Sequence, residues 1–344
     1  MSRQLLAVRR TGLVTSVGLS APAACAAIRA KIKNPIETRF LDRKGEWIMS
    51  HSVPLGRSVR GLAKLVELAS MSAEECVVNL LPEELARIPL LLCVAESTRP
   101  GRIAGLDEQL LETLRERLGG AKLAPESCLI PYGRVGAAVA LQKARKLVYE
   151  AEAPAVLIVA TDSMLIWSTL RALSEQGRLL TPDNSNGFIP GEAGSAVLVA
   201  RPIAGHPSLH ISGLGFASEQ ASIESDQPLR ADGLTEAIRV ALQDADCDMT
   251  ALDFRITDIA GEQYYFKEAA LALARTMRRP KVGFDLWHPA ECIGEVGSAI
   301  GPALLVVAEA AGRKRYAPGP SMLAHAANDS GQRTAIVMRY AVGQ

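Results

Sequence analysis

Two short glycine-rich segments carry the residues best placed for chemistry in this chain. Gly133-Arg134-Val135-Gly136-Ala137-Ala138 opens an apolar run that ends near Tyr149, and Gly294-Glu295-Val296-Gly297-Ser298-Ala299 opens a second that ends near Ala311. Each reads as a tight turn feeding the N-terminus of a buried helix. Free backbone N–H groups and the helix dipole converge there and favour an anion or a reactive group. The second position is Arg134 in one segment and Glu295 in the other. As copies of one another, the segments give these residues equivalent positions, and a duplicated fold places them within ion-pair range or one water apart. The dipole favours a carboxylate at a helix start and disfavours a guanidinium, so an inward Arg134 needs Glu295. The alternative is an Arg134 turned out to the surface.

Other candidates stand outside these turns. Cys128, five residues before Gly133, reads as a thiol on a strand, with a displaced nucleophile as the alternative. His288, close before the second turn, is a candidate stand-in for a catalytic histidine. His206 and His210 read as surface or packing residues without metal-ligand spacing, and His325 as a core histidine. Ser163, Ser168 and Ser195 lack a histidine–acid pattern that would activate them. Gly187, Gly191 and Gly194 are not followed by the Lys-Ser/Thr of a phosphate loop. Glu192 reads as a hydrogen-bonding residue rather than a general base.

Composition narrows the classes. Of 344 residues 48% are hydrophobic but only 4% aromatic, so a large, aliphatic, alanine-rich core is expected. The net charge of +1 gives no electrostatic case for nucleic acid or an anionic membrane, and clusters such as Arg313-Lys314-Arg315 read as solvated helix ends. No apolar run reaches the ~18 residues of a membrane span, and Met1–Arg10 reads as a strand rather than a signal peptide. The six scattered cysteines read as reduced thiols of a cytoplasmic protein. No cofactor or metal is called for.

The elements that must position the two turns repeat. Leu5–Val14 is β-rich, Ala21–Ile32 helical, Asn34–Leu55 irregular and Val59–Cys76 an amphipathic helix. Ile88–Ala95 reads as a strand buried on both faces. Leu106–Leu118 is a helix closed by Gly119-Gly120, Ser127–Tyr132 a short strand, Ala155–Thr161 a strand, Met164–Glu175 a helix, Leu179–Pro190 a loop and Gly194–Ala200 a strand. The order then restarts. Leu209–Phe216 is a strand whose Ser212-Gly213-Leu214 echoes Thr11-Gly12-Leu13. Leu234–Asp244, Phe254–Ala260, Phe266–Met277, Lys281–Leu286, Ala299–Ala311, Ser321–Ala326 and Thr334–Tyr340 follow as helix, strand, helix, strand, helix and two strands. Two halves, 1–204 and 205–344, each read βαβαβαββ, the pattern of a duplicated α/β domain with a pseudo-twofold axis.

On these residues the chain resembles the thiolase superfamily, in particular the β-ketoacyl synthases that condense acyl chains on carrier protein. Thr11-Gly12-Leu13-Val14-Thr15-Ser16-Val17-Gly18 is similar to that family's opening strand and turn. Asp183–Val199 (DNSNGFIPGEAGSAVLV) resembles its D-x-x-x-x-G-F-x-x-G-E-G-A-x-x-L-V segment. The resemblance implies a five-layer α-β-α-β-α sandwich and a dimer, with the Ser127–Tyr132 strand paired across its axis. It also implies three catalytic positions, and these diverge. Gly133 or Arg134 stands where the nucleophilic cysteine belongs, Ala260 at the first histidine and Glu295 at the second histidine or asparagine. The upstream lysine falls near Ala290, and the late glycine loop is Asp329-Ser330-Gly331-Gln332, without its phenylalanine. Condensation needs a thiolate to hold the acyl group and donors to stabilise developing negative charge. The expectation is therefore a non-catalytic, ketosynthase-like protein that works by binding, either as an inactive partner subunit or as an adaptor of the kind found beside type VI secretion effectors. Its expected partners are a second copy or a related thiolase-fold subunit, a secretion effector or a carrier protein. The rival is an acyltransferase, condensing or thioesterase-like enzyme using a rearranged acyl pocket, with Cys128, His288 and Phe188 as what remains of it. The chain is shorter than ketosynthases of its type, with the lost length expected in the caps around residues 35–60 and 217–235.

Overall fold

A computed structural model describes residues 4–56, 58–119 and 124–342. Met1–Arg3, and the Gly120 expected to help close a helix, lie outside the described residues. The first half runs β1 (Leu6–Val14), α1 (Ala21–Arg29), β2 (Ile36–Leu41), β3 (Trp47–Ser50), α2 (Gly61–Val77), α3 (Pro82–Leu85), β4 (Leu90–Cys93), α4 (Leu106–Arg117), β5 (Cys128–Ile130), α5 (Gly136–Tyr149), β6 (Val156–Ser163), α6 (Trp167–Glu175) and β7 (Glu192–Ala200). The second runs β8 (Ser208–Ser218), α7 (Asp232–Asp244), β9 (Phe254–Thr257), α8 (Gln263–Thr276), β10 (Leu286–Trp287), α9 (Ala290–Ile293), α10 (Ile300–Arg313), β11 (Ser321–Ala327) and β12 (Gln332–Ala341).

The strands follow one order twice. From the middle outward they read β1-β7-β6-β4-β5 on one side and β8-β12-β11-β9-β10 on the other. β4 and β9 thus hold the same rank and pair in parallel with the same two neighbours, while the last strand of each half runs antiparallel. The halves join edge to edge through a short antiparallel pairing of Leu6 with Ile211 and Ala7 with His210. α10 is apolar almost all round, as a helix covered on every side must be. It touches β1, β6 and β7 of one half and β8, β9 and β12 of the other, which makes it part of a shared middle layer with α5. α2 and α4 cover the outer face of the first half, and α7 with α8 that of the second. The result is a five-layer α-β-α-β-α sandwich of two pseudo-twofold-related halves. No helix among the described residues is long and apolar enough to cross a membrane.

Three stretches differ from the sequence reading. Asn34–Leu55 is not irregular throughout but holds the β2–β3 hairpin, which pairs outside the main sheet and exposes much of β2. Only the short β3 buries a face, through Ile48 and Ser50, so β2 leaves no period-two pattern to read; the turn is built by Asp42, whose carboxylate accepts from the N–H groups of Lys44 and Glu46. The strand expected over Lys281–Leu286 shrinks to Leu286–Trp287. Val282 is fully exposed, Gly283 is left-handed at φ 69°, and the Lys281 ammonium donates to the carbonyl of Thr250 at 3.1 Å, so this segment crosses the surface. The strand expected to run to Ala260 stops at Thr257.

The echo between Gly12 and Gly213 has a packing cause. A Cβ on Gly12 would stand 1.8 Å from the Ser72 carbonyl oxygen in α2, and one on Gly213 would stand 2.1 Å from the Ala241 oxygen in α7. Each glycine lets an outer helix lie directly on its strand. Gly12→Ala must push α2 off β1, and chemical denaturation should show a loss of about 2 kcal/mol or more without a change in fold.

Candidate active site

The two glycine turns lie at the N-termini of α5 and α10, packed against each other in the middle layer. Each is a single 3-10 turn, Gly133–Val135 and Gly297–Ala299, entered by a left-handed glycine: φ is 53° at Gly133 and 54° at Gly297. The preceding residues, Tyr132 and Val296, also share a backbone conformation. The structural repeat therefore matches Gly133 with Gly297 and Arg134 with Ser298, three residues away from the match read in the sequence. The second glycine of the later segment does the work of the first glycine of the earlier one. Arg134 and Glu295 are not equivalent positions.

They meet nonetheless. Arg134, 7% exposed, turns inward, and its Nη1 donates to Glu295 Oε2 at 3.2 Å. Its Nη2 donates to the Tyr265 hydroxyl at 2.9 Å and to Asp329 Oδ1 at 2.5 Å, while Asp258 Oδ2 lies 3.8 Å from Nε. The ring of Tyr265 lies under the guanidinium, 4.9 Å from centroid to Cζ, and its hydroxyl donates to Asp329. A second arginine completes the set. Arg178 donates to both oxygens of Glu262 at 2.8 and 2.6 Å and to Asp329 Oδ2 at 2.6 Å. Asn328 clamps the turn, accepting from the Arg134 N–H at 3.1 Å and donating to the Tyr132 carbonyl at 2.8 Å. Two guanidiniums thus face four carboxylates. Burial opposes charge on Asp329, but Arg134 and Arg178 outweigh it and hold its carboxyl well below the usual carboxylate range. Burial prevails at Asp258, which is raised, and pushes Glu295 up to about 7 despite Arg134. A proton held on Glu295 relieves part of the excess negative charge.

A third arginine serves the glycines themselves. The Glu96 carboxylate stands where a side chain on Gly133 would go, with Oε2 2.2 Å from an ideal Cβ; Asp162 does the same at Gly297, 2.0 Å away. Arg99 bridges the two, donating to Glu96 Oε2 at 2.8 Å and to Asp162 Oδ2 at 2.6 Å. Above this floor lies a cavity of about 340 Å³, walled by Pro100, Met164, Leu173 and Phe188. Every guanidinium nitrogen of Arg99 and Arg178, and both Nη of Arg134, donates to an internal acceptor.

Of the residues singled out in the sequence, the structure gathers Gly133, Arg134, Glu295 and Phe188 at this place. Ala260 packs beside Phe188 in a small apolar cluster at its edge. Cys128 and His288 do not line the cavity. Cys128 lies on β5 at the sheet edge, and His288 stands edge-on to Phe266 with centroids 5.7 Å apart. His325 is buried 3.1 Å from the Thr257 hydroxyl, with its imidazole held neutral, to about 3, by burial and then by Arg255. His206 and His210 flank the connection into β8, where His210 contacts Ser208. Glu192 accepts from the Ser52 and Ser163 hydroxyls and the Val53 N–H and pairs with Lys64, a tie between loops. Glu96, Arg99, Asp162, Arg178, Asp258, Glu262 and Tyr265 were not picked out from the sequence. Their one sequence-level signal is charge inside otherwise apolar strand ends.

No protein-family model matches this sequence, and no curated protein does. Solved structures match in fold along their full length. A type II polyketide acyl-carrier protein in complex with its ketosynthase bound to the hexaketide contains a chain with TM-score 0.82 and 14% identity, covering 99% of this chain and 100% of that one. A β-ketoacyl synthase from Burkholderia phymatum gives TM-score 0.73 and 13% identity, covering 99% and 100%. The ishigamide ketosynthase/chain length factor gives 0.67 and 18%, covering 97% and 99%. The chain has the thiolase-type fold of the ketosynthases.

The raised carboxyl of Glu295 makes a pH test. Its ordinary value is 4.5 and its folded value about 7, so the folded state holds the proton more tightly, and the associated stability is lost as pH rises between these values. His51 and His325, neutral when folded, contribute the opposite slope, but equally in any Glu295 variant. Relative to Glu295→Gln, the wild type should lose up to about 3 kcal/mol of unfolding free energy between about pH 5 and pH 7.5, read by urea titration at each pH.

Proposed function

We propose that this chain is a non-catalytic ketosynthase-fold protein that works by binding, as a partner subunit of a thiolase-fold pair or as an adaptor for another protein. The observation that carries the reading is the state of the first glycine turn. Neither residue at the position where the resembled enzymes keep their cysteine is a nucleophile, and the space beyond Gly133 is taken by the Glu96 carboxylate. Beside it Glu295 brings a carboxyl group where those enzymes keep a histidine or asparagine, and once ionised an acid there opposes developing negative charge. Among the described residues no histidine or cysteine lines the cavity. The halves 1–204 and 205–344 are then retained as a scaffold. A secretion effector, a carrier protein and a related thiolase-fold subunit are the partners that this reading offers. Among the matched structures are a ketosynthase/chain length factor and an acyl-carrier protein complex, which supports partners of that kind.

Incubation with acyl-CoA and with a cerulenin-type electrophile, followed by intact mass and peptide mapping, tests the absence of chemistry. The expected result is no stoichiometric adduct on any residue lining the cavity; such an adduct would overturn the reading in favour of an acyl-transferring enzyme. For assembly, we propose that β5, a sheet edge with free backbone groups on one side, pairs antiparallel with the matching strand of a second thiolase-fold subunit. Light scattering at micromolar concentration should give a dimer for the chain alone if the partner is a second copy. A monomer would exclude that partner.

A further inference from the structure

We propose that Cys128 and Lys143 form a peroxide-sensitive pair that closes into a reversible sulfur–nitrogen cross-link between β5 and α5. Neither residue belongs to the cavity or its floor, although Cys128 lies on the β5 strand proposed above to pair with a second subunit. Lys143 Nζ donates to Cys128 Sγ at 2.9 Å, joining an edge strand to the helix packed on its inner face. Both side chains are half-buried, and hydrogen peroxide is small and uncharged. Among the described residues no carboxylate lies within ion-pair distance of Lys143, so its ammonium is directed to sulfur alone. Reactive cysteines have in common a cationic neighbour and partial exposure, because the thiolate is the nucleophile. Four of the five other thiols differ, Cys247 being half-buried like Cys128. Cys25, Cys76, Cys93 and Cys292 are buried, and burial pushes each thiol up, Cys25 to about 12.

The nearest alternative partner is excluded by register. β5 pairs with β4 so that Cys128 lies opposite Leu91 and Ile130 opposite Cys93. Two positions along neighbouring strands separate Cα atoms by about 8 Å, which is beyond disulfide reach. An oxidised Cys128 therefore meets an amine before it meets a thiol. The Cys128 thiolate attacks one peroxide oxygen; the O–O bond breaks, sulfur is oxidised to a sulfenic acid, and the other oxygen leaves as water after protonation. Lys143, having released a proton to solvent, then attacks sulfur through Nζ. An S–N bond forms, and the sulfenic oxygen departs with a proton and the second amine hydrogen as water. Sulfenic acids condense with nitrogen in this way, and added thiol reverses the bond.

The test uses the full chain. It is treated with one equivalent of hydrogen peroxide, the remaining thiols are alkylated, and the digest is read by mass spectrometry. The expected product joins the Cys128 and Lys143 peptides, is lighter than their sum by two hydrogens, and is split by dithiothreitol. Lys143→Arg should give no cross-link and leave a dimedone-reactive sulfenic acid at Cys128, and Cys128→Ser should give neither. Cys128 passing to sulfinic acid in the wild type with Lys143 free would overturn the proposal, as would Cys247 reacting ahead of it.

Discussion

A guanidinium buried between two halves of a duplicated fold sets the terms for the centre of this molecule. Arg134 sits at a helix N-terminus, where the dipole disfavours it, and is cut off from water. It persists because three carboxylates and a tyrosine come to it: Asp258 from the end of β9, Glu295 from the turn before α10, Asp329 from the β11–β12 loop and Tyr265 from α8. All four belong to the second half, whereas Arg134 belongs to the first. Replacing such a network by well-packed apolar groups is often neutral or stabilising, but removing one member strands a buried charge. Its effect is to fix one arrangement of the two halves, with Arg178 and Glu262 added because Asp329 serves both arginines.

The same constraint bears on function. A thiolase-type fold brings two helix starts together and leaves their N–H groups and dipoles aimed at one place. In this chain that place is saturated. Arg99 holds a carboxylate against each left-handed glycine, and Arg134 and Arg178 are neutralised from within. Among the described residues no cysteine or histidine lines the cavity, and an incoming anion would meet guanidiniums already paired with carboxylates. An apolar-walled cavity beside Phe188 and an edge strand at β5 remain open.

Much of this was legible in the residues and some was not. The buried strands declared themselves as short apolar runs, and the repeat of their order in the second half implied the duplication. Gly12 and Gly213 echoed one another because each must let a helix pass within contact of its strand. The meeting of Arg134 and Glu295 was anticipated, although through a mistaken equivalence: the motif G-x-V-G occurs in both turns, but the fold uses its first glycine in one and its second in the other. Asp258, Asp329 and Arg178 stayed hidden because nothing local distinguishes a strand-end or loop charge that is solvated from one that closes a network more than a hundred residues away. The exposed β2 offered no periodicity, and Cys128 and His288, read by closeness in sequence, do not line the cavity.

The central claim is that Arg134 and Glu295 are energetically one unit, filling the place between the two helix starts. A double-mutant cycle with Arg134→Met, Glu295→Gln and their combination, followed by chemical denaturation at about pH 7.5, addresses it directly. The account predicts that Arg134→Met alone costs about 3–5 kcal/mol. It also predicts that the two substitutions depart from additivity by about 1 kcal/mol or more, the double variant recovering part of the loss because one stranded carboxylate is gone. Effects that sum to within about 0.5 kcal/mol would contradict it.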